Sequence, residues 1–154
     1  MVIKQRSEDT EQQAVISWAR LQEGRYPELK LLHHIPNGGS RNKKEGAKLK
    51  RMGVLAGVSD LHLPVPKGRY HSLYIEMKYD EGKVMPSQKE FIIIAAGYEN
   101  YCCVCYSAEA AIEILQTYLN LEPEGSMPYD NTCIIKKQGA EPMPMAPMKR
   151  ESKQ

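Results

Sequence analysis

Two short extended segments, each carrying an acidic residue, constrain the fold of this chain most strongly. Asp60 precedes a stretch of alternating leucines, and Glu76 lies within the segment Tyr74–Lys78. The turn at Pro64–Gly68 would bring the second segment back alongside the first. Because side chains two residues apart share one face of a strand, Glu76 and Lys78 should project together. Neighbouring carboxylates repel each other unless a cation lies between them, so the pattern predicts a metal site.

The ligand type of this predicted site indicates the kind of ion. Oxygen ligands favour a hard cation such as Mg²⁺, which keeps several waters and is typically held by one or two carboxylates together with substrate phosphates. A lysine beside that ion, here Lys78, would orient a water or neutralise charge on a phosphate group. The combination favours metal-dependent hydrolysis of a nucleic-acid phosphodiester.

The overall composition is that of an ordinary globular chain. Its 154 residues suffice for one domain with a full hydrophobic core, and 42% hydrophobic with 26% charged residues is typical of such domains. No apolar run approaches the ~20 residues that cross a bilayer. The first ten residues are polar and lack the apolar region of a signal peptide. We therefore expect a cytoplasmic protein that makes no membrane contact.

The cysteines and histidines give little support to a second kind of metal site. The cysteines form neither a CxxC pair nor a zinc-binding pattern. Cys103 and Cys105 share one strand face, where neighbouring positions rarely form a disulfide, so reduced core residues are expected. His33 and His34 are adjacent on a predicted strand and point apart. A histidine-ligated zinc site is therefore the weaker alternative.

A basic segment stands out against the formal net charge of +2. Six cations fall within eleven residues and are opposed there only by Glu45: Arg41, Lys43, Lys44, Lys48, Lys50 and Arg51. Such a stripe is typical of a surface that contacts nucleic-acid phosphates, although a solvated helix face has the same pattern. The preceding Asn37-Gly38-Gly39 would let the backbone approach a phosphate closely.

Hydrophobic periodicity and capping signals predict alternating helices and strands. Helices are expected at about 8–22, 41–52, 87–96 and 107–119, and strands at 29–35, on either side of the 64–68 turn, and at 100–106. The sequence Ser87-Gln88-Lys89-Glu90 matches a capping box, which places Gln88 in the first turn of the third helix. This order favours an α/β fold in which helices flank a mixed β-sheet.

The first predicted helix, which Ser7 would cap, carries two acidic residues that could join the metal site. Glu11 lies one turn before Val15 and two turns before Trp18, at the edge of the apolar stripe. A glutamate in that position can point into a cleft, so Glu11 is the preferred candidate. An exposed helix acid is the simpler interpretation. Glu8, three residues earlier on a similar face, is the second candidate.

Residues 1–121 are expected to form the main domain, because the composition changes after that point. Five of the ten prolines and four of the eight methionines lie from Glu122 onward. Residues 131–137 could add an edge strand or pair with a second copy of the chain. The remainder of the 122–154 tail, from Gln138, is expected to be mobile or bound to a partner.

Taken in order, these features resemble the VRR-NUC family, a branch of the PD-(D/E)XK nuclease superfamily with a restriction-endonuclease-like core. The resemblance covers about residues 8–119 and is carried by Glu11, Pro36-Asn37-Gly38-Gly39, the basic helix, Gly57-Val58-Ser59-Asp60, Glu76-Met77-Lys78 and Gln88. Each motif alone is weak, and their order is specific. Where the family usually has a proline before the motif aspartate, this chain has Ser59, a position that shapes the backbone turn and does not bind metal.

The resemblance implies a metal-binding role for four residues. Asp60, Glu76 and the main-chain carbonyl of Met77 would bind Mg²⁺ or Mn²⁺. Glu11 would complete the acidic cluster, directly or through water.

The resemblance also implies the reaction and the substrate contacts. Lys78 would position the attacking water, Gln88 would steady the site from the following helix, and hydrolysis would leave a 5′-phosphate. The residues expected to contact DNA are Asn37, Gly38, Gly39, Arg41, Lys43, Lys44, Lys48 and Arg51.

The stand-alone members of the family, which occur in phages and bacteria, are similar to Holliday-junction resolvases and tend to work as homodimers. The resemblance therefore implies an endonuclease that selects branched DNA, acts in DNA repair, and would lie in the host cytoplasm if a phage encodes it. Two alternatives stay open. One is a nuclease that cuts flaps, single strands or linear duplex, and the other is a DNA-binding module of this fold without catalytic activity.

Overall fold

The computed structural model of this chain describes residues 5–37 and 42–146. Its helices are α1 (Glu8–Leu21), α2 (Lys43–Arg51), α3 (Pro86–Gly97) and α4 (Ala108–Leu119), with a 3₁₀ helix at Pro27–Leu31. Its strands are β1 (His33–His34), β2 (Leu61–Leu63), β3 (Leu73–Met77), β4 (Tyr101–Cys105), β5 (Cys133–Ile135) and β6 (Met143–Pro144).

These strands form one mixed sheet in the order β1-β2-β3-β4-β5-β6. The pairs β1–β2, β2–β3 and β5–β6 are antiparallel, whereas β3–β4 and β4–β5 are parallel. Helix α3 connects β3 to β4, and α4 lies between β4 and β5, as parallel neighbours require a crossover connection. The strand directions bring the ends of β1, β3, β4 and β5 and the start of β2 to one edge. We call this the carboxyl edge; it comprises residues 35–37, 60, 76–79, 105–107 and 135–137.

Both faces of the sheet are covered by helices. On one face, inward residues of β3 such as Ile75 pack with Val15 of α1 and Leu115 of α4 in the larger core cluster. On the other face, Ile92 of α3 packs with Val104 and its neighbours in a smaller cluster. Because successive strand residues face opposite sides, Glu76 lies on the α3 face of the sheet.

The start of α1 has the cap that the sequence predicts. The Ser7 hydroxyl accepts a hydrogen bond from the Thr10 amide at 3.2 Å, and the Ser7 amide donates to the Thr10 hydroxyl at 2.7 Å. These bonds satisfy amide groups that the first helical turn otherwise leaves unpaired. Glu8 is therefore fixed as the first residue of α1, where the helix dipole favours a negative charge.

Two predicted elements, the first strand and the third helix, begin at other residues in the structure. The strand expected at 29–35 is reduced to His33–His34, because Pro27 opens a 3₁₀ helix in which Leu29 and Leu32, three residues apart, are both buried. Helix α3 begins at Pro86, so Gln88 is its third residue. The Gln88 side-chain oxygen accepts a hydrogen bond from the Met85 amide at 2.8 Å.

The segment expected at the edge of the sheet lies inside it. Strand β5 pairs with β4 on one side and with β6 on the other, and Cys133 and Ile135 are buried. Part of the tail expected to be mobile, Met143–Pro144, is strand β6. The polar Thr132 continues the pairing, since its amide donates to the Cys102 carbonyl at 2.8 Å.

Within residues 5–37 and 42–146, no helix combines the length and the apolar character that crossing a membrane would require.

The link between α2 and β2 packs directly against the start of α3 at Gly57. Gly57 has a φ of +88°, and a Cβ there would lie 2.2 Å from the Ser87 carbonyl oxygen. Gly53 has a φ of +101°, yet a Cβ there would meet no atom within 4 Å. The two glycines therefore share a positive φ that would strain any other residue, and they differ in their contacts.

This pair gives a matched test of the contact with α3. Alanine at Gly53 should lower the free energy of unfolding by about 1 kcal/mol through strain alone. Alanine at Gly57 should cost a further ~1–3 kcal/mol, because backbone atoms must move to admit the methyl group. Urea denaturation measures the free energy of unfolding of both variants. Equal losses would mean that the start of α3 moves aside for the methyl group without an energetic cost.

Candidate active site at the carboxyl edge

Three acidic residues from separate segments meet at the carboxyl edge. Glu8 begins α1, Asp60 precedes β2, and Glu76 is the fourth residue of β3. Each offers a carboxylate oxygen, and these oxygens all lie within 4.8 Å of one another. We call these residues the acidic cluster.

Asp60 is held by hydrogen bonds from both neighbouring strand ends. Its Oδ2 atom accepts from the Met77 amide at 2.8 Å. Its main-chain carbonyl accepts from the Ile35 amide at 2.9 Å and from Nδ1 of His34 at 2.7 Å. Because a carbonyl only accepts, Nδ1 of His34 carries the hydrogen. The amide and carbonyl of one strand residue face the same neighbouring strand, so the Met77 carbonyl also faces the β2 side.

Glu76 is the most deeply buried acid of the cluster, with 1% of the residue exposed. Its Oε1 atom accepts a hydrogen bond from Nε2 of Gln88 at 2.8 Å, and Nζ of Lys78 lies 3.7 Å from the same oxygen. The Oε2 atom is buried and has no hydrogen-bond partner. Burial, followed by the nearby charge of Asp60, raises the pKa of Glu76 to about 9.

This donor set fits a hard divalent cation. An unpaired buried carboxylate oxygen is costly unless a proton or a positive charge compensates it. Two further carboxylates lie within reach, and oxygen ligands are those that Mg²⁺ and Mn²⁺ prefer. The pKa of Glu8 is also raised, chiefly by burial, while the charge of Lys78 opposes that shift.

Glu11, the preferred helix acid in the sequence interpretation, is engaged elsewhere. Its carboxylate pairs with the Arg6 guanidinium and lies 3.4 Å from the Ala108 amide at the start of α4. The residue is 5% exposed, so it is buried without belonging to the acidic cluster. Glu8, the second candidate, takes the position expected for Glu11. Both lie on similar faces of α1, and the partner Arg6 decides between them.

A cavity of about 340 Å³ opens beside the cluster. It is lined by Glu8, Asp9, Gln12, His34, Pro36, Asn37 and Asp60. Gln12 was missed in the sequence interpretation, although it lies four residues after Glu8 and therefore on the same helix face. The cavity gives a ligand access to Glu8 and Asp60 from the β1 side.

Comparison with known proteins shows to which family this chain is related. A family model described as the VRR-NUC domain matches residues 3–109, which is more than half of the chain. The chain belongs to the VRR-NUC family. A solved structure described as a VRR_NUC domain protein is 34% identical to it, with a TM-score of 0.67, and the match covers 78% of this chain and 93% of that one. No curated protein matches the chain.

The family assignment confirms the predicted fold class and the general activity. VRR-NUC domains have the restriction-endonuclease-like fold, and the mixed sheet flanked by helices agrees with it. The family indicates a nuclease, a hydrolase whose substrate is DNA.

The basic helix of this VRR-NUC protein is a surface helix. None of the residues Lys43–Arg51 is buried, and the Asn42 side chain caps the helix by accepting from the Glu45 amide at 2.8 Å. Asn37 donates from its side-chain amide to the Leu55 carbonyl at 2.6 Å, which ties the end of β1 to the segment after α2. Gly38, Gly39 and Arg41, also predicted to contact DNA, lie outside the described residues.

The cysteines and Ser59 are buried inside the fold. All four cysteines are buried and unpaired, as expected. Ser59, at the position of the usual family proline, is fully buried, and its hydroxyl has no hydrogen-bond partner. In the part of the chain that the structure describes, histidines join no cluster of three potential metal ligands.

The raised pKa of Glu76 makes the stability of the metal-free protein depend on pH. The folded chain holds this proton up to about pH 9, whereas the unfolded chain releases it near the ordinary value of 4.5. Folding therefore binds a proton between these values, and stability falls as the pH rises.

With a chelator present, the Tm of the wild type should fall from about pH 5 to about pH 9 more steeply than the Tm of Glu76→Gln, which cannot titrate at this position. Thermal unfolding at a series of pH values measures both slopes. Parallel slopes would show that Glu76 titrates near its ordinary value.

Proposed function

We propose that this protein is an endonuclease that requires Mg²⁺ or Mn²⁺ and selects branched DNA. The observation that supports metal dependence most directly is the buried, unpaired Oε2 atom of Glu76 beside Asp60 and Glu8. A protein that used these acids only for structure would be expected to pair that oxygen with a donor.

The residues proposed to hold the ion are Asp60, Glu76 and the Met77 carbonyl, with Glu8 contributing from α1. When bound, the ion supplies charge compensation for the scissile phosphate and activates a water. The hydrogen bond from the Met77 amide fixes the position of the Asp60 carboxylate before the ion binds. Gln88 holds one oxygen of Glu76, which leaves the other oxygen for the ion.

Lys78 is proposed to position the attacking water. Its side chain is 8% exposed and is held near Glu76, so little freedom is lost when it forms a hydrogen bond to water or to a phosphate oxygen. Water adds to phosphorus, the bond from phosphorus to the 3′ oxygen breaks, and the products carry a 5′-phosphate and a 3′-hydroxyl. The protein contributes position and electrostatic complementarity to this displacement.

Helix α2 is proposed to contact the DNA backbone through Lys43, Lys44, Lys48 and Arg51, together with Arg41, and the preceding turn would add Asn37, Gly38 and Gly39. In the described residues, the cations of α2 form no salt bridge. Exposed cations that no acid neutralises are what a polyanion requires.

Selection of branched DNA is proposed to require a homodimer, because a four-way junction has two-fold symmetry and needs two cuts. Exposed apolar side chains on α3 and at its C-cap, including Ile93, Ile94 and Tyr98, support a second copy as a partner, since it would remove them from water.

Single substitutions test the proposed metal site. Asp60→Asn, Glu76→Gln, Lys78→Met and Glu8→Gln should each lower metal-dependent cutting at least ~100-fold, because even the groups that merely orient metal ligands are usually worth 10–100-fold. A chelator should abolish cutting by the wild type. DNA binding should persist in each variant, and anisotropy of labelled DNA measures it.

Glu11→Gln is the matched control on the same helix. It should keep cutting activity and lower the Tm, because it weakens the Arg6 pair and leaves the site intact. If Glu11→Gln lost activity at an unchanged Tm while Glu8→Gln cut normally, Glu11 would replace Glu8 in the site.

A substrate panel tests the choice of DNA. Four-way junction, flap, splayed arm, single strand and linear duplex are compared with metal and with chelator, and light scattering reports the oligomeric state. We expect paired cuts in the junction by a dimer. Preference for another substrate would replace the junction, a strict monomer with junction DNA would exclude paired cutting, and binding without cutting would indicate a DNA-binding module.

A further inference from the structure

The carboxyl edge continues beyond the acidic cluster to a second basic surface. Going along this edge from β1, one meets Asn37, then Asp60, then Glu76, and finally Lys136 and Lys137 after β5. Neighbouring strands lie ~4.8 Å apart, so β5 is displaced by ~10 Å from β3. The acidic cluster therefore lies between the end of β1 and the two lysines.

An open cleft of about 370 Å³ lies at this end of the edge. Its lining includes Arg6, Tyr79, Tyr106, Glu109, Lys136 and Lys137. Two of the residues that line this cleft are close in sequence to the site. Tyr79 directly follows Lys78, and Arg6 lies two residues before Glu8.

The charges in this cleft are not all available to a ligand. The Arg6 guanidinium pairs with Glu11 and lies 3.6 Å from the Glu109 carboxylate, so acids already compensate it. Lys136 and Lys137 are exposed and have no acidic partner within 4 Å among residues 5–37 and 42–146. The two lysines are therefore the free cations of the cleft.

Lys136 is held in place by an aromatic ring. Its Nζ atom lies 3.6 Å from the ring centroid of Tyr106, and the Tyr106 hydroxyl donates to the Gly82 carbonyl at 2.7 Å. A cation–π contact of this kind orients the ammonium group and leaves its remaining donors free. The lysine is thus oriented before a ligand arrives.

We propose that Lys136 and Lys137 bind backbone phosphates of the DNA strand on the β5 side of the acidic cluster, opposite the side served by α2. The inference rests on the proposed function for its substrate, DNA. A displacement of ~10 Å lies within the reach of one DNA strand, which carries a phosphate for every ~3.4 Å of helix axis. The lysines lie outside residues 3–109, which the family model matches. This chain therefore carries a substrate contact beyond that matched region.

The test is the salt dependence of DNA binding by Lys136→Gln/Lys137→Gln, with a labelled four-way junction and a labelled duplex in chelator. Glutamine keeps part of the aliphatic stem and removes the charge. If two phosphate contacts are lost, the slope of log K against log salt should become shallower by about 2 units, at ~0.9 per contact. The Tm of each variant checks its fold, and Lys136→Arg/Lys137→Arg should restore the slope.

Arg25→Gln/Lys30→Gln is the matched control. It removes the same net charge from exposed residues beyond the other end of α1, where Arg25 also lies over a ring, that of Tyr26, at 5.2 Å. Its slope should equal that of the wild type. Lys43→Gln/Lys44→Gln should also flatten the slope, and its effect should add to that of the β5 pair, because different phosphates are contacted.

Equal slopes for the β5 pair and the Arg25/Lys30 control would overturn the inference, as would a wild type that does not bind DNA. Cutting is not the readout, so the two proposals fail separately. A flattened slope in a protein that cuts no DNA with either metal would leave the phosphate contact standing and reject the proposed nuclease mechanism.

Discussion

The burial of the Glu76 carboxylate is the constraint on which the site depends. Removing a carboxylate from water costs several kcal/mol unless hydrogen bonds or opposite charges compensate it. The protein supplies one amide donor, from Gln88, and one ammonium group at 3.7 Å, from Lys78, both directed at the same oxygen. The second oxygen has neither, and Asp60 adds repulsion. A divalent cation among these groups would satisfy the oxygen and relieve the repulsion together.

The direction of β2 is what lets distant segments reach that carboxylate. Because β2 runs antiparallel to β3, the residue before β2 arrives beside the last residues of β3, where the Met77 amide can hold Asp60. The cap at Ser7 brings the first residue of α1 to the same edge. A parallel β2 would have placed Asp60 at the opposite edge of the sheet. The order of motifs that carries the family resemblance therefore forms a site only with these strand directions.

Local patterns in the sequence predicted the features that depend on neighbours in the chain. The alternation around Glu76 predicted the strand and its two faces, and the cap at Ser7 predicted the start of α1. Glu8 and Glu11 lie three residues apart on a helix, so periodicity treats them alike. The contacts of Glu11 with Arg6 and with the start of α4, 97 residues away, separate them.

Features that depend on distant pairing escaped the sequence interpretation. Residues 133–135 are hydrophobic enough for a strand, but their position inside the sheet is set by β4 and β6 together. The shortening of β1, in contrast, has a local cause that the sequence interpretation missed, because Pro27 favours the first turn of a helix. The division of the chain at residue 121 remains a prediction, and the sheet continues past it to Pro144.

The four cysteine side chains of the folded chain react poorly with thiol reagents. All are at most 3% exposed. Burial raises the pKa of Cys102 and raises that of Cys133 to about 11, whereas the hydrogen bond with Cys105, together with burial, raises the pKa of Cys103. Thiolate, the form that alkylating reagents attack, is therefore scarce at neutral pH. Such a reagent would modify the chain only when strands β4 and β5 open. The native thiols consequently act as built-in reporters of global opening, and leave the surface free for an engineered label.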